Sequence, residues 1–233
     1  MKFEGQPSEA RIIARLNRFA VMVEAGGRQE TVHLPNSGRL RELLVPGRRA
    51  LLWERGSPGR KTRYDLVLVR VGRCWACADA RMPPSLVAEA LALGSLPQFA
   101  GFPTVRREVV YEDSRLDLAL SNGRATCFIE VKSVTLVEAG RALFPDAPTL
   151  RGTRHLNTLA HAVSLGNRAA VIFVVQRPDA ASFTPNDAAD PVFGETLRHV
   201  QKQGVEVYAY RCRVTPKAIC LASPIPIDLR AGG

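Results

Sequence analysis

The chain has 233 residues, 46% of them hydrophobic, enough to bury a normal core as one large domain or two small ones. It carries 32 basic and 22 acidic residues for a net charge of +10, with 27 Arg against 5 Lys. No apolar run approaches the ~20 residues of a membrane span, residues 1–30 lack the apolar core of a signal peptide, and five irregularly spaced cysteines make no disulfide framework. A cytoplasmic protein is the expectation.

The charge is uneven. Residues 1–80 hold 15 basic and 8 acidic residues, a net +7, whereas residues 81–233 hold 17 and 14, a net +3. Arg forks match phosphate oxygens bidentately, so a basic N-terminal module points to a polyanion, nucleic acid before membrane. An arginine-rich genome bias would give the same balance with no partner at all. The candidate phosphate contacts in this half are Arg18, Arg39, Arg41, Arg48, Arg49, Arg60, Lys61 and Arg63.

In chain order, residues 11–16, 19–24 and 29–34 read as strands, with Ala25-Gly26-Gly27-Arg28 turning the second into the third. Pro35-Asn36-Ser37-Gly38 breaks the pattern, and Asn36 or Ser37 is a candidate cap for a short helix through Leu44. Strands follow at residues 49–54, 66–71 and 74–78, with a loop over 56–61. Short strands plus one small helix suit a Greek-key barrel of the OB type. Such barrels bind single strands through a basic groove and aromatic platforms. Phe19, Trp53, Tyr64 and Trp75 are the candidate platforms, each of them equally at home in a core. Cys74-x-x-Cys77 is a poor zinc motif: on a strand its thiols face opposite ways, and no second pair follows.

Pro83-Pro84-Ser85 opens a helix to Leu93, and the boundary between two domains is expected here, giving 1–82 and 83–233. A strand over 104–111 leads into a hairpin. Residues 151–165 read as a helix with Leu156, Leu159, Ala160 and Val163 on its apolar side. The apolar run 169–176 reads as a buried central strand. A helix over 187–203 and a strand over 205–210 complete an α-β-β-β-α-β-α-β order, a mixed sheet with helices on both faces.

The hairpin carries the chemistry. Ser114-Arg115-Leu116-Asp117 precedes Asn122-Gly123, a strong turn signal, and Ile129-Glu130-Val131-Lys132 follows it. Centring the turn on Asn122-Gly123 sets Asp117 opposite Phe128 and makes Glu130 its diagonal neighbour, roughly 7–8 Å away at Cβ. Alternation then puts Leu116, Leu118, Leu120, Cys127, Ile129 and Val131 on one face, and Asp117, Glu130 and Lys132 on the other. Two carboxylates can hold a hard divalent cation, Mg²⁺ or Mn²⁺. A cation polarises a phosphodiester and activates water, and a neighbouring Lys stabilises the charge that develops. A solvated hairpin face also carries Asp, Glu and Lys, although Phe128 on that face argues for partial cover.

This order, with Asp then Glu-x-Lys on consecutive strands, resembles the restriction-endonuclease-like PD-(D/E)xK fold. More specifically, Pro35-Asn36-Ser37-Gly38, Arg106-Arg107-Glu108, Ser114-Arg115-Leu116-Asp117, Glu130-Val131-Lys132-Ser133-Val134-Thr135-Leu136, Phe144-Pro145-Asp146-Ala147, Arg151-Gly152-Thr153-Arg154-His155-Leu156 and Phe173-Val174-Val175-Gln176-Arg177 resemble motifs of the sugar fermentation stimulation protein A (SfsA) family, over about residues 11–222. The resemblance implies an OB-type domain, a nuclease-like domain, a prokaryotic source, DNA binding without sequence preference and a regulatory role in sugar (maltose) metabolism. It carries a metal site over to Asp117 and Glu130, with Lys132 alongside. Ser133, Thr153-Arg154 and Ser37-Gly38-Arg39-Leu40 depart from the family's usual residues.

Four further residues are candidates. Glu89, on the helix entering the second domain, is a possible additional acid at the metal. Arg151 and His155, i and i+4 on one helix face, could meet a phosphate. Gln176 ends a buried strand and needs a partner, in the site or in the scaffold. The leading reading is a DNA-binding protein with a nuclease-like metal site. Its rivals are an active Mg²⁺- or Mn²⁺-dependent nuclease and a regulator that has lost turnover.

Overall fold

The computed structural model describes residues 1–56 and 59–230. Strands β1 (Ser8–Asn17), β2 (Ala20–Ala25), β3 (Arg28–His33), β4 (Arg49–Glu54) and β5 (Tyr64–Val71) pair in the order β3-β2-β1-β4-β5, and a parallel bridge from β3 to β5 closes the barrel. β6 (Cys74–Cys77) extends the sheet beyond β5. Ile12, Val21, Val23, Val32, Leu52 and Leu66 alternate inward and fill the barrel. The expected loop over 56–61 includes Ser57 and Pro58, which lie outside the described residues.

The expected helix through Leu44 does not form. Residues 41–43 make a turn instead. Leu40 sits at φ 50°, a left-handed conformation that no helix interior tolerates in a branched residue. Its amide donates to Asp146 Oδ2 at 3.0 Å, a partner 106 residues away. Leu40 and Leu43 bury in the barrel core, so burial and a distant carboxylate override the local cap.

After α1 (Met82–Ala92), strands β7 (Thr104–Tyr111), β8 (Ser114–Ser121) and β9 (Thr126–Val134) form an antiparallel meander. β10 (Val137–Glu138) and β11 (Arg141–Phe144) follow, then α2 (Leu150–Ser164), β12 (Arg168–Val175), β13 (Ser182–Pro185), α3 (Pro191–Lys202), β14 (Glu206–Val214) and β15 (Ile219–Pro224). The main sheet has the order β15-β14-β12-β9-β8-β7, with β9, β12 and β14 parallel. β12 lies at its centre and is buried from Ala169 to Val175, as a strand covered on both faces must be.

Helices cover both faces. α1 packs Leu86, Val87 and Ala90 with Leu118, Ile129 and Ile172, and the same cluster takes in Leu51, Trp53 and Trp75 of the barrel. α2 and α3 pack Leu156, Leu159, Phe193 and Leu197 against Ala119, Phe128, Val171 and Phe173 on the other face. α3 begins at Pro191 rather than 187, because Asp190 caps it, accepting from the Phe193 amide at 3.0 Å. The small sheet β10-β11-β13 was not expected; its strands are too short to show a period.

Two hairpin expectations are corrected. Asn122 Oδ1 accepts from the amides of Arg124 at 3.0 Å and Ala125 at 2.8 Å, so the turn spans residues 122–125. Ala119, not Asp117, is opposite Phe128. The shift is two residues, so face parity survives, and the register carried one residue further sets Asp117 opposite Glu130. The second correction is Leu116, which joins the α2–α3 side of the core instead of the α1 side. The ladder is distorted opposite it: Glu108 sits at φ 50° between the pairs Arg107–Leu118 and Val109–Leu116.

Candidate metal centre and nucleic-acid surface

The structure brings Asp117, Glu130 and Lys132 together under α2. Ser114 on β8 and Thr158 on α2 share a hydrogen bond of 2.9 Å that holds the helix over this part of the sheet. Glu130 is only 4% exposed and Lys132 9%. Buried charges need partners, and both have them. The Lys132 ammonium donates to Glu130 Oε1 at 2.7 Å, and His155 Nδ1 bonds the same oxygen. Arg151 Nε donates to His155 Nε2 at 3.3 Å. That fixes the proton of a neutral imidazole on Nδ1, facing Glu130. Glu130 Oε2 is buried and has no hydrogen-bond partner. Asp117 uses Oδ2 to accept the Val131 amide at 2.7 Å.

Electrostatics separates the two acids. Burial, and then the neighbouring Glu130, push Asp117 up to about 6. Burial also opposes ionisation of Glu130, yet Lys132 and His155 hold its carboxyl below the usual range. One carboxylate is therefore fixed as an anion, while its neighbour keeps its proton more readily. The donor set is two carboxylates: among the described residues no group of three or more His, Cys, Asp or Glu is arranged to hold a metal.

The other expected site residues divide between the trio, the far side of the sheet and the scaffold. Glu89 sits on α1, across the sheet from the trio, and its carboxylate pairs with the Met1 amino group at 2.8 Å. His155 is 3% exposed and bonded on both nitrogens, so it positions Glu130 rather than meeting a phosphate. Gln176 is scaffold. Its Nε2 donates to the Asp79 carbonyl at 3.1 Å and to Ser133 Oγ at 3.0 Å, and its main-chain carbonyl accepts the Cys77 amide at 2.9 Å, clasping the barrel to β9.

The barrel cations fall into two groups. Arg49 pairs with Glu9 at 3.1 Å and Arg63 with Glu54 at 2.9 Å, Arg60 pairs with the buried Asp65, and Arg48 donates to the Glu42 carbonyl. Arg18, Arg39, Arg41 and Lys61 are exposed and make no ion pair among the described residues. Of the aromatic candidates, Trp53 and Trp75 are core residues, Tyr64 is half-buried and Phe19 is 47% exposed.

Sequence reasoning missed a cleft of about 270 Å³ between the barrel and the sheet, lined by Arg18, Asn36, Ser37, Lys132, Ser133, Thr135 and Asp146 among others. Three of the family-like motifs meet in its walls: residues 36–38, 131–136 and 144–147. Asn36 Oδ1 accepts the Gly38 amide at 2.8 Å. Gly38 approaches Asp146 so closely that a Cβ there would lie 2.8 Å from Oδ2. The motifs were visible in the chain, but nothing in any of them says that it meets the others.

A closed OB-type barrel clasped to a restriction-endonuclease-like sheet, with Asp and Glu-x-Lys on neighbouring strands, defines a nuclease-like two-module protein. The family model "SfsA N-terminal OB domain" matches residues 13–78, and "Sugar fermentation stimulation protein RE domain" matches residues 81–218. The chain belongs to the SfsA family. It is 46% identical to the sugar fermentation stimulation protein homolog of Chloroflexus aurantiacus over 219 residues, 94% of this chain and 85% of that one. The Moorella thermoacetica homolog is 45% identical over 223 residues, covering 95% of this chain and 96% of that one. The solved SfsA of Pyrococcus furiosus in complex with Ca²⁺ superposes with a TM-score of 0.89 at 28% identity, covering 98% of each chain. No helix among the described residues is long and apolar enough to cross a membrane.

Proposed function

We propose that this protein is a divalent-metal-dependent phosphodiesterase acting on DNA, which it grips through backbone phosphates without reading sequence. The observation that carries this reading is the divided carboxylate of Glu130. One oxygen is fixed by Lys132 and His155, while the other is buried and has no hydrogen-bond partner, and the charge of the group bears on Asp117. A buried acceptor left open costs on the order of 1–3 kcal/mol, unless a cation takes it.

Hard oxygen donors suit Mg²⁺ or Mn²⁺, and Mg²⁺ in particular is commonly held by one or two carboxylates with water and substrate phosphate completing its shell. The Ca²⁺ in the Pyrococcus furiosus structure supports a hard divalent ion in this family. Such a cation would polarise the phosphate and lower the pKa of water. Lys132 has no lone pair and is not a ligand; it orients Glu130 and lines the cleft, where its charge can stabilise a phosphorane-like oxygen. Arg151 and His155 hold Glu130 in its rotamer. The exposed barrel arginines supply phosphate contacts, which position a strand but carry no sequence information.

One observation favours a binder without turnover, compatible with a regulatory role in sugar metabolism: the Lys132 ammonium is engaged by Glu130 rather than free in the cleft. The test is incubation of single- and double-stranded DNA with Mg²⁺, Mn²⁺, Ca²⁺ or EDTA. Cleavage in Mg²⁺ or Mn²⁺ that EDTA and Asp117→Ala both abolish is expected. Binding with no cleavage under any metal would leave the regulator reading in its place.

A further inference from the structure

Among the described residues the barrel has one exposed aromatic ring in a basic setting, and its position suggests what the protein grips. Phe19 lies in the turn between β1 and β2 and is 47% exposed. A ring this exposed leaves a π face on which a base can stack. The Arg18 guanidinium lies over its ring, 5.4 Å from the centroid, and the His33 imidazole stands 6.3 Å away. Beside it is a depression of about 470 Å³ lined by Phe19, His33, Arg60 and Lys61. Arg60 and Lys61 come from the connection between β4 and β5. In OB barrels the loops joining strands 1–2 and 4–5 are those that border an oligonucleotide groove.

Arg18 links this platform to the rest of the molecule. It stacks on Phe19 and also lines the cleft that contains Lys132. A base can stack on a side chain only when it is unpaired, so a ring used in this way selects a single strand over a duplex.

We infer that Phe19 is a base-stacking platform for single-stranded nucleic acid, from which the strand passes over Arg18 toward Lys132. The inference rests on the proposed nucleic-acid function and adds the strandedness of the substrate. Stacking suits a protein that does not read sequence, because every base has a π face. Lys61 and Arg18 would flank the stacked nucleotide with positive charge.

The test uses the full chain in EDTA, with labelled oligo(dT) and a blunt duplex of equal length as probes, read by fluorescence anisotropy. Phe19→Ala should weaken oligo(dT) binding by about 5- to 100-fold, the range of base–aromatic stacking, and change duplex binding less than about twofold. Phe19→Trp should restore oligo(dT) affinity. Because the native Trp53 and Trp75 are buried, the new exposed indole should also be quenched by oligo(dT), a signal that a purely structural role would not give. Unchanged oligo(dT) binding in Phe19→Ala, or equal loss on both probes, overturns the platform. A wild-type chain that binds neither probe overturns the nucleic-acid reading on which it rests.

Discussion

The carboxylate face of the C-terminal sheet and the basic surface of the barrel use charge in opposite ways. Around Glu130 the charges are buried, and one oxygen of its carboxylate has Lys132 and His155 as definite neighbours while the other is left open. On the barrel most of the charges are exposed, and three of the eight cations named above are engaged by an acid beside them. In the buried setting the dielectric is low and geometry decides the energy. On the surface water and salt screen every pair. Single substitutions should therefore switch behaviour at the first place and only scale it at the second.

The largest effect is expected from Glu130→Ala. It removes the fixed anion and leaves Lys132 and His155 facing each other without it. Mn²⁺ binding should disappear in calorimetry, and cleavage should fall at least about 10³-fold, roughly 4 kcal/mol of transition-state stabilisation. Retained Mn²⁺ binding would break the contrast at its centre, since an open buried oxygen would then have no ligand role. Lys132→Ala should come next. Metal binding stays, because an ammonium is not a ligand, but cleavage drops about 10²–10³-fold. A variant cutting at the wild-type rate would reduce Lys132 to a scaffold partner of Glu130.

Much of this site was legible before any fold was known. A period of two is a local property, so alternation alone put Asp117, Glu130 and Lys132 on one face, and a two-residue error in register left that face intact. The family motifs extended the same reading along the chain. What was not legible depends on contacts between distant segments. Asp146 holding the Leu40 amide replaced an expected helix with a turn. The side chain of Asn122, folding back on its own turn, set the register. Glu89 was misplaced for the same reason: a sequence shows which helix face a residue occupies, not which face of the sheet that helix covers. Phe19 and Trp75 look alike in the chain, and only packing separates an exposed ring from a core one.

A smaller effect, on stability, should follow from Asp117. Burial and the Glu130 charge push its folded value from 3.8 up to about 6, so the native state holds this proton more tightly than the unfolded one. The stability it contributes is full below about pH 4 and falls as pH rises through about 6. Asp117→Asn removes that loss. In EDTA the variant should be more stable than wild type at pH 7 by roughly 1–3 kcal/mol, with the difference shrinking toward pH 4, by urea denaturation. Added Mn²⁺ should raise the wild type and not the variant, by mass action. A variant less stable at pH 7 than at pH 4, relative to wild type, would contradict the sign.

The smallest effects belong to the barrel, and they can sharpen the comparison within its own surface. Arg18 and Arg41 are exposed without an ion pair among the described residues, whereas Arg49 and Arg63 face Glu9 and Glu54. A cation that neutralises a phosphate releases counterions, so log affinity falls linearly with log salt. Arg18→Ala or Arg41→Ala should lower the magnitude of that slope by about one contact, with a few-fold loss of affinity for any sequence. Arg49→Ala and Arg63→Ala should change it less, because each arginine must first leave a carboxylate, and the carboxylate it leaves repels the strand. Removing that acid with Glu9→Gln should then strengthen binding and steepen the slope. Identical slopes for all four Arg variants would mean that pairing on this surface does not set which cations meet phosphate. The barrel would then act as an undivided positive field, not as a set of contacts.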